Sequence, residues 1–348
     1  MSVPVTQFEQ EIREQPEVLA RVLRDGRAAI LELAERLRRA PPAWVTVAAR
    51  GTSDNAARYA QYVLGFKNRL SVALAAPSLY TLYASPPKLG GALVVGISQS
   101  GQSPDVISVV TEGRRQGAVT VAITNDPSSP LAAAAEHTLA IHAGPEKAVA
   151  ASKTYTAQLL TVAMLAAAIS DDAPAWEELA RIPDAVAETI QQAADTVGEP
   201  ALRCRAADRF AVLGRGFNYA TAFEIALKLK ETSYVVAEPY SFADFRHGPA
   251  ALLERGFPVL LVVTKVHEDL APLLDLLEEH GADITAISGD PAMAARAPAA
   301  IHLPAVVPEW LSPLVAIVPG QLFALRLALA RGTNPDHPRG LSKITETR

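Results

Sequence analysis

"ALVVGISQSGQSPDVISVVTEGRRQGAVTVAITN", Ala92 to Asn125, decides the fold. An apolar run of strand length, ALVVGI, ends in hydroxyl and amide residues around Gly101. A proline-started segment of helical length follows, and then a second β-branched run, VTVAIT. Strand, helix and strand in this order make a βαβ unit, whose crossover brings the two strands parallel. The alternation extends both ways, through WVTVAARG and TSDNAARYAQYVLG before it and SSPLAAAAEH and TLAIHAG after it. The expected fold class is α/β, a parallel sheet with helices on both faces.

The pattern recurs. VTVAARGTSDNAARYAQYVL aligns with FAVLGRGFNYATAFEIALKL, pairing Arg50-Gly51 with Arg215-Gly216, and GRRQGAVTVAIT aligns with LEEHGADITAIS, pairing Gly117 with Gly281. Two such matches in the same order predict two copies of one unit, which suits a chain of 348 residues. The expected divisions are a helical arm over 1–40, a first copy over 41–170, a helical linker over 171–207, a second copy over 208–330 and a tail over 331–348. The arm carries Phe8, Ile12, Val18, Leu19, Val22, Leu23, Ile30, Leu33 and Leu37 at helical spacing, broken only at Gln15-Pro16.

Composition removes several classes of function. The formal charge is −5, with no long Lys/Arg run, so the electrostatic footprint of a nucleic-acid binder is missing. The N-terminus does not read as a signal peptide, and the apolar run Leu159–Ile169 is shorter than the ~20 residues of a membrane-spanning helix. No membrane partner is expected. The single cysteine, Cys204, forms no internal disulfide and fits a reducing compartment, with cytoplasm as the default. The seven histidines show no metal-binding spacing, so neither a metal nor another cofactor is expected.

Ser98, Gln99, Ser100, Gly101 and Ser103 lie at a strand-to-helix junction, where unpaired helix N–H groups and small hydroxyls can wrap an oxyanion. Ordinary helix capping by Ser103 is the plain alternative. Two features favour phosphate: Thr52-Ser53 occupies the equivalent turn after Gly51, and the second copy has VVTKVHEDL where the first has its serines. Neither a P-loop nor a GxGxxG spacing is present, so the expected guest is a small phosphorylated metabolite.

In the second copy Glu224, Lys228 and Glu231 fall at i, i+4 and i+7 and share one helix face. A solvated, salt-bridged stripe is the plain reading of such a face. His247-Gly248-Pro249, after an expected loop containing Glu238-Pro239, adds an imidazole on a turn. A carboxylate base and an imidazole suffice to move a proton between adjacent carbons of a sugar phosphate, while a lysine steadies enediolate charge.

FEQEIREQP, RGTSDNA, ISQSGQSPD, AVAASKTYTAQL, GRGFNYATAFEIALKLKE, RHGPAAL and GTNPDHPRGLSK together resemble the SIS (sugar isomerase) superfamily. The likeness is to the isomerase half of glucosamine-6-phosphate synthases and to stand-alone amino-sugar-phosphate deaminases. It implies two tandem SIS subdomains, each a five-stranded parallel sheet in a flavodoxin-like three-layer arrangement, and a phosphorylated sugar as substrate. It implies that Ser98, Gln99, Ser100, Ser103 and Thr52 hold the phosphate. Glu231 would transfer the proton between C1 and C2, supported by Lys228 and Glu224, and His247 would assist ring opening from the partner subunit of a homodimer. Val149 matches a backbone contact to the sugar, and Lys343 a tail lysine that reaches the sugar carbonyl. Ala151 stands where the synthases have serine, and Ser103 where they have threonine. The chain starts at the helical arm rather than at a glutaminase domain. The expected activity is therefore conversion of glucosamine 6-phosphate to fructose 6-phosphate and ammonia. The alternatives are plain aldose–ketose isomerisation of another phosphosugar, or a sugar-phosphate-binding regulator.

Overall fold

The computed structural model describes residues 5–304 and 306–343. The first sheet contains β1 (Trp44–Ala48), β2 (Val72–Leu74), β3 (Ala92–Ile97), β4 (Val119–Thr124) and β5 (His137–Ala140), in the order β2-β1-β3-β4-β5. The second contains β6 (Arg209–Gly214), β7 (Val236–Ser241), β8 (Pro258–Val263), β9 (Asp283–Ser288) and β10 (Ala299–His302), in the order β10-β9-β8-β6-β7. Every pairing is parallel, as the βαβ reading requires. Read from β2 and from β7, the two orders are the same, so the duplication seen in the sequence is a duplication of topology. The glycines paired by the alignment also match in backbone, with φ of 54° at Gly51 and 57° at Gly216, and 77° at Gly117 and 67° at Gly281. In both sheets the chain reverses its direction of travel after the edge strand. That reversal leaves a crevice beyond the strand ends between β1 and β3, and another between β6 and β8, where α/β proteins receive ligands.

The chain clusters into two compact units. One comprises residues 17–146, 153–181 and 342–343 and holds the first sheet. Here β3 is buried along its whole length. A Cβ at Gly96 would lie 2.7 Å from Val110 and 2.9 Å from Leu131, so the helices Pro104–Arg115 and Pro130–Ala134 rest directly on the strand. Val94, Val106, Ala122 and Leu131 form the core at that contact. Helix Lys153–Ile169 is buried from Lys153 to Ala168, which explains an apolar composition on every face.

The other unit comprises residues 5–16, 147–152, 182–304 and 306–341 and holds the second sheet. Its sheet packs on helix Leu270–Glu279 through Leu213, Val259, Leu261, Leu273 and Leu277, and Phe245 of the short helix Phe242–Arg246 joins the same core. Helix Asn218–Ser233 packs on helix Ser312–Ala330 so closely that a Cβ at Gly320 would come within 2.3 Å of Ile225. The segment Glu309–Ala330 is long and apolar enough to cross a membrane by length and composition, yet 83 % of its most apolar window is buried inside the protein. Its apolarity belongs to a core helix, one the sequence reading passed over.

Two expectations are corrected. The arm has a second break: its helices are Gln7–Arg13, Gln15–Asp25 and Arg27–Arg39, and Gly26 separates the last two. The region of Glu238-Pro239 is not a loop but part of β7. Proline is tolerated there because β7 is an edge strand, paired among the described residues with β6 alone.

Candidate functional site

The first unit places the serine-rich loop at its crevice. Ser98 continues from β3 and stays in the sheet's hydrogen-bond pattern by donating its N–H to Ile123 O at 3.1 Å. Gly101 then turns the chain with φ 64°, a conformation that penalises any Cβ, and a Cβ there would fall 2.1 Å from Ser129 Oγ. The turn folds the loop on itself: the Gly101 N–H donates to Ser98 Oγ at 3.1 Å and the Gln102 N–H to Ser100 Oγ at 3.3 Å.

Ser103 occupies the N-cap position of helix Pro104–Arg115, but its side chain makes no capping bond. Its Oγ instead faces Ser98 Oγ at 3.4 Å. Plain capping therefore does not account for this serine. The positive end of the helix dipole lies beside a hydroxyl pair, an arrangement chemically suited to a tetrahedral oxyanion.

Across the crevice, Gly51 bends the chain after β1 and Thr52 opens helix Thr52–Asn68. Arg50, just past the end of β1, is ion-paired with the buried Asp105 in the first turn of helix Pro104–Arg115, tying the two sides of the crevice together. Thr52 is half-exposed, as are Gln99, Ser100 and Ser103. Ser53 is turned inward, where its Oγ accepts from Gln158 Nε2 at 3.0 Å.

The matching crevice of the second unit is furnished differently. Asn218 Nδ2 donates to both Thr264 Oγ1 and Ser312 Oγ at 2.8 Å, and Glu309 pairs with Lys265 and with His267. The polar groups there satisfy one another.

The same unit carries the acid–base helix. Lys228 lies fully buried between two carboxylates, with its Nζ 3.3 Å from Glu224 Oε1 and 2.6 Å from Glu231 Oε2. Burial opposes the charge on Lys228, but Glu224 and then Glu231 outweigh it, and its pKa stands above the ordinary lysine value. The plain reading of a solvated stripe fails: Glu224 is as buried as Lys228, and only Glu231, 20 % exposed, opens toward solvent. The same helix meets helix Ser312–Ala330, where Thr232 Oγ1 donates to Ala324 O at 3.4 Å. Chemically the arrangement is a carboxylate that can exchange a proton, with a fixed cation behind it and a second carboxylate balancing that cation.

His247 ends the short helix Phe242–Arg246 and is exposed, and its ring makes no hydrogen bond or ion pair among the described residues. Val149 lies half-exposed on the segment 147–152, followed by Ala151. Lys343, in the first unit, is not a loose tail charge: its Nζ is 2.7 Å from Oε2 of the buried Glu146. The same carboxylate accepts from the N–H and hydroxyl of Thr154. Among the described residues no three His, Cys, Asp or Glu side chains group as metal ligands would.

Sequence reasoning missed Glu146 and Glu11. Glu11 accepts from the backbone N–H groups of Lys147 and Ala148. Its signal was present, since Phe8, Glu11, Ile12 and Gln15 fall at i, i+3, i+4 and i+7, a buried helical face with two polar members.

The SIS domain family model matches residues 44–168 and 204–331. A curated relative, glutamine–fructose-6-phosphate aminotransferase (isomerizing) of Thermus thermophilus, is 35 % identical over 350 residues, covering 96 % of this chain and 57 % of that protein. The chain thus spans little more than half the length of the curated relatives it matches. Among solved structures, a candidate phosphosugar isomerase of Silicibacter pomeroyi DSS-3 superposes with a TM-score of 0.85 at 34 % identity, covering 95 % of this chain and 100 % of that one. The C-terminal domain of glucosamine-fructose-6-phosphate aminotransferase from Francisella tularensis also gives 0.85, at 28 % identity over 95 % of this chain and 98 % of that one. With both halves matched in register with the two sheets, the chain belongs to the SIS domain family.

Proposed function

We propose that the protein is a phosphosugar isomerase that acts on an amino-hexose 6-phosphate, and that it converts glucosamine 6-phosphate to fructose 6-phosphate and ammonia. The observation that carries this reading is the buried Glu224–Lys228–Glu231 set, in which only Glu231 meets solvent. A salt bridge kept for stability alone gains little from such burial. The relatives' names point the same way.

In this reading Ser98, Gln99, Ser100, Ser103 and Thr52 grip the phosphate ester. His247, supplied by the partner subunit of a homodimer, moves the proton that opens the ring. Glu231 removes the hydrogen at C2 of the open aldehyde and delivers it to C1, converting the 2-amino aldose into a ketose imine through an enolamine. Lys228 holds Glu231 in place and offsets its charge, and Glu224 in turn keeps Lys228 protonated. Lys343 and the backbone at Val149 face the sugar. Water then adds to C2 and ammonia leaves, so that one water is consumed for each ammonia released. The chemistry proposed needs no cofactor, and a cytoplasmic setting suits its substrate.

The test is to incubate the protein with glucosamine 6-phosphate and to measure ammonia and fructose 6-phosphate. Glu231→Gln is expected to lower turnover by about 10²–10⁴-fold, the usual worth of a positioned general base, while ligand binding persists. Hydrogen exchange at C2 without ammonia would identify a plain aldose–ketose isomerase instead. A folded protein with neither signal on any hexose or hexosamine 6-phosphate would refute the proposal.

A further inference from the structure

We propose that Glu11 is a positioning residue: its buried carboxylate sets the backbone of the segment 147–152, and through it the selectivity for a sugar phosphate over phosphate alone. The inference rests on the proposed function in one respect, that the backbone around Val149 faces the sugar.

Glu11 is fully buried between Phe8 and Ile12, themselves fully buried. An ionised carboxylate in such a place costs several kcal/mol unless N–H donors compensate it. Its two oxygens accept from consecutive backbone amides, Lys147 and Ala148. Those amides open the segment on which Val149 and Ala151 lie. A contact made by backbone has no side chain of its own to tune it, so its accuracy depends on whatever holds the chain.

The holder is itself fixed. Asp336 accepts the N–H groups of Gln7 and Phe8, each at 2.8 Å, and Thr6 caps the same helix by accepting from Glu9 at 3.1 Å. Just beyond its end, Gln15 Nε2 donates to Gln321 Oε1 at 2.8 Å. Glu11 therefore projects from a clamped helix, and a charge-assisted pair of bonds transmits that position to residues 147 and 148.

The experiment compares wild type, Glu11→Gln and Glu11→Ala as the full chain. Amide hydrogen exchange over 147–152 reads the hold directly. Affinities for glucosamine 6-phosphate and for inorganic phosphate read its consequence. In Glu11→Ala the Lys147 and Ala148 amides should exchange faster, and affinity for the sugar phosphate should fall roughly tenfold, while inorganic phosphate binds as before. Glu11→Gln keeps one acceptor oxygen and should fall between, which preserves the test where the alanine variant does not fold. Unchanged exchange overturns the hold. Faster exchange with an unchanged ratio of the two affinities, or an equal loss of both ligands, overturns the positioning role and leaves a structural one. A wild-type protein that binds glucosamine 6-phosphate no better than inorganic phosphate overturns the functional reading, and this inference with it.

Discussion

Replacing Lys228 by methionine removes a cation from between two carboxylates, one of which, Glu224, is fully buried. At 3.3 Å and an effective dielectric constant near 20, the Lys228–Glu224 attraction is about 5 kcal/mol. Loss of one partner of a buried pair typically costs about 3–5 kcal/mol. Glu224 has an escape, because it can take up a proton. An ordinary glutamate titrates near 4.3, so holding it protonated at pH 7 costs about 4 kcal/mol, and at pH 5 only about 1 kcal/mol.

The sign follows from proton counting. The variant's folded state binds a proton that its unfolded state lacks, so its stability falls as pH rises above the ordinary glutamate value. Glu231 contributes less to this balance because it reaches solvent. Urea denaturation of wild type and Lys228→Met at pH 5 and pH 7 measures the difference directly. The deficit should widen by about 3 kcal/mol between the two pH values, and Glu224→Gln added to Lys228→Met should abolish that widening. A deficit independent of pH, or a double variant as pH-sensitive as the single one, would show that Glu224 is not a buried charge dependent on Lys228.

Gly101→Ala forces a Cβ into a left-handed backbone and against Ser129, so the thermal midpoint and phosphate affinity should fall together, with at least about 1–2 kcal/mol lost from the backbone term alone. If Ser98 and Ser100 hold the ester as proposed, Ser98→Ala with Ser100→Ala should weaken inorganic phosphate and hexose 6-phosphates alike, by about tenfold or more in equilibrium titrations. An effect on the sugar phosphate alone would contradict that. Cys204 is nearly inaccessible and burial pushes its thiol pKa up to about 11, so at pH 8 a thiol reagent should label it only after denaturation. Rapid labelling of the native protein would contradict the packing around it.

Much of the fold can be read from the sequence because local signals agree there. The strand-to-glycine junctions at Gly51 and Gly216 recur in both sequence and backbone angle, and β3 is apolar and bounded by turn residues. The edges are harder. β7 contains Pro239, which argues against a strand until its place at the rim is known, and β2 is only three residues long.

Spacing put Glu224, Lys228 and Glu231 on one face, but whether that face was wet depended on tertiary packing, which the spacing of three residues does not carry. Ser103 shows the same limit. Its position says cap, and only the direction of its Oγ toward Ser98 says otherwise. The spacing of Phe8, Glu11, Ile12 and Gln15 marks a helix face but not what Glu11 holds, because the amides of Lys147 and Ala148 carry no sequence signal, and Glu146 is likewise tied to the Thr154 amide and to the distant Lys343.

The unequal furnishing of the two crevices has a countable outcome. Doubling a binding module ordinarily doubles the sites per chain, but the copy with β6 and β8 has spent its hydroxyls and charges on Asn218, Ser312 and Glu309. Titrated with a hexose monophosphate, each polypeptide should saturate at one equivalent.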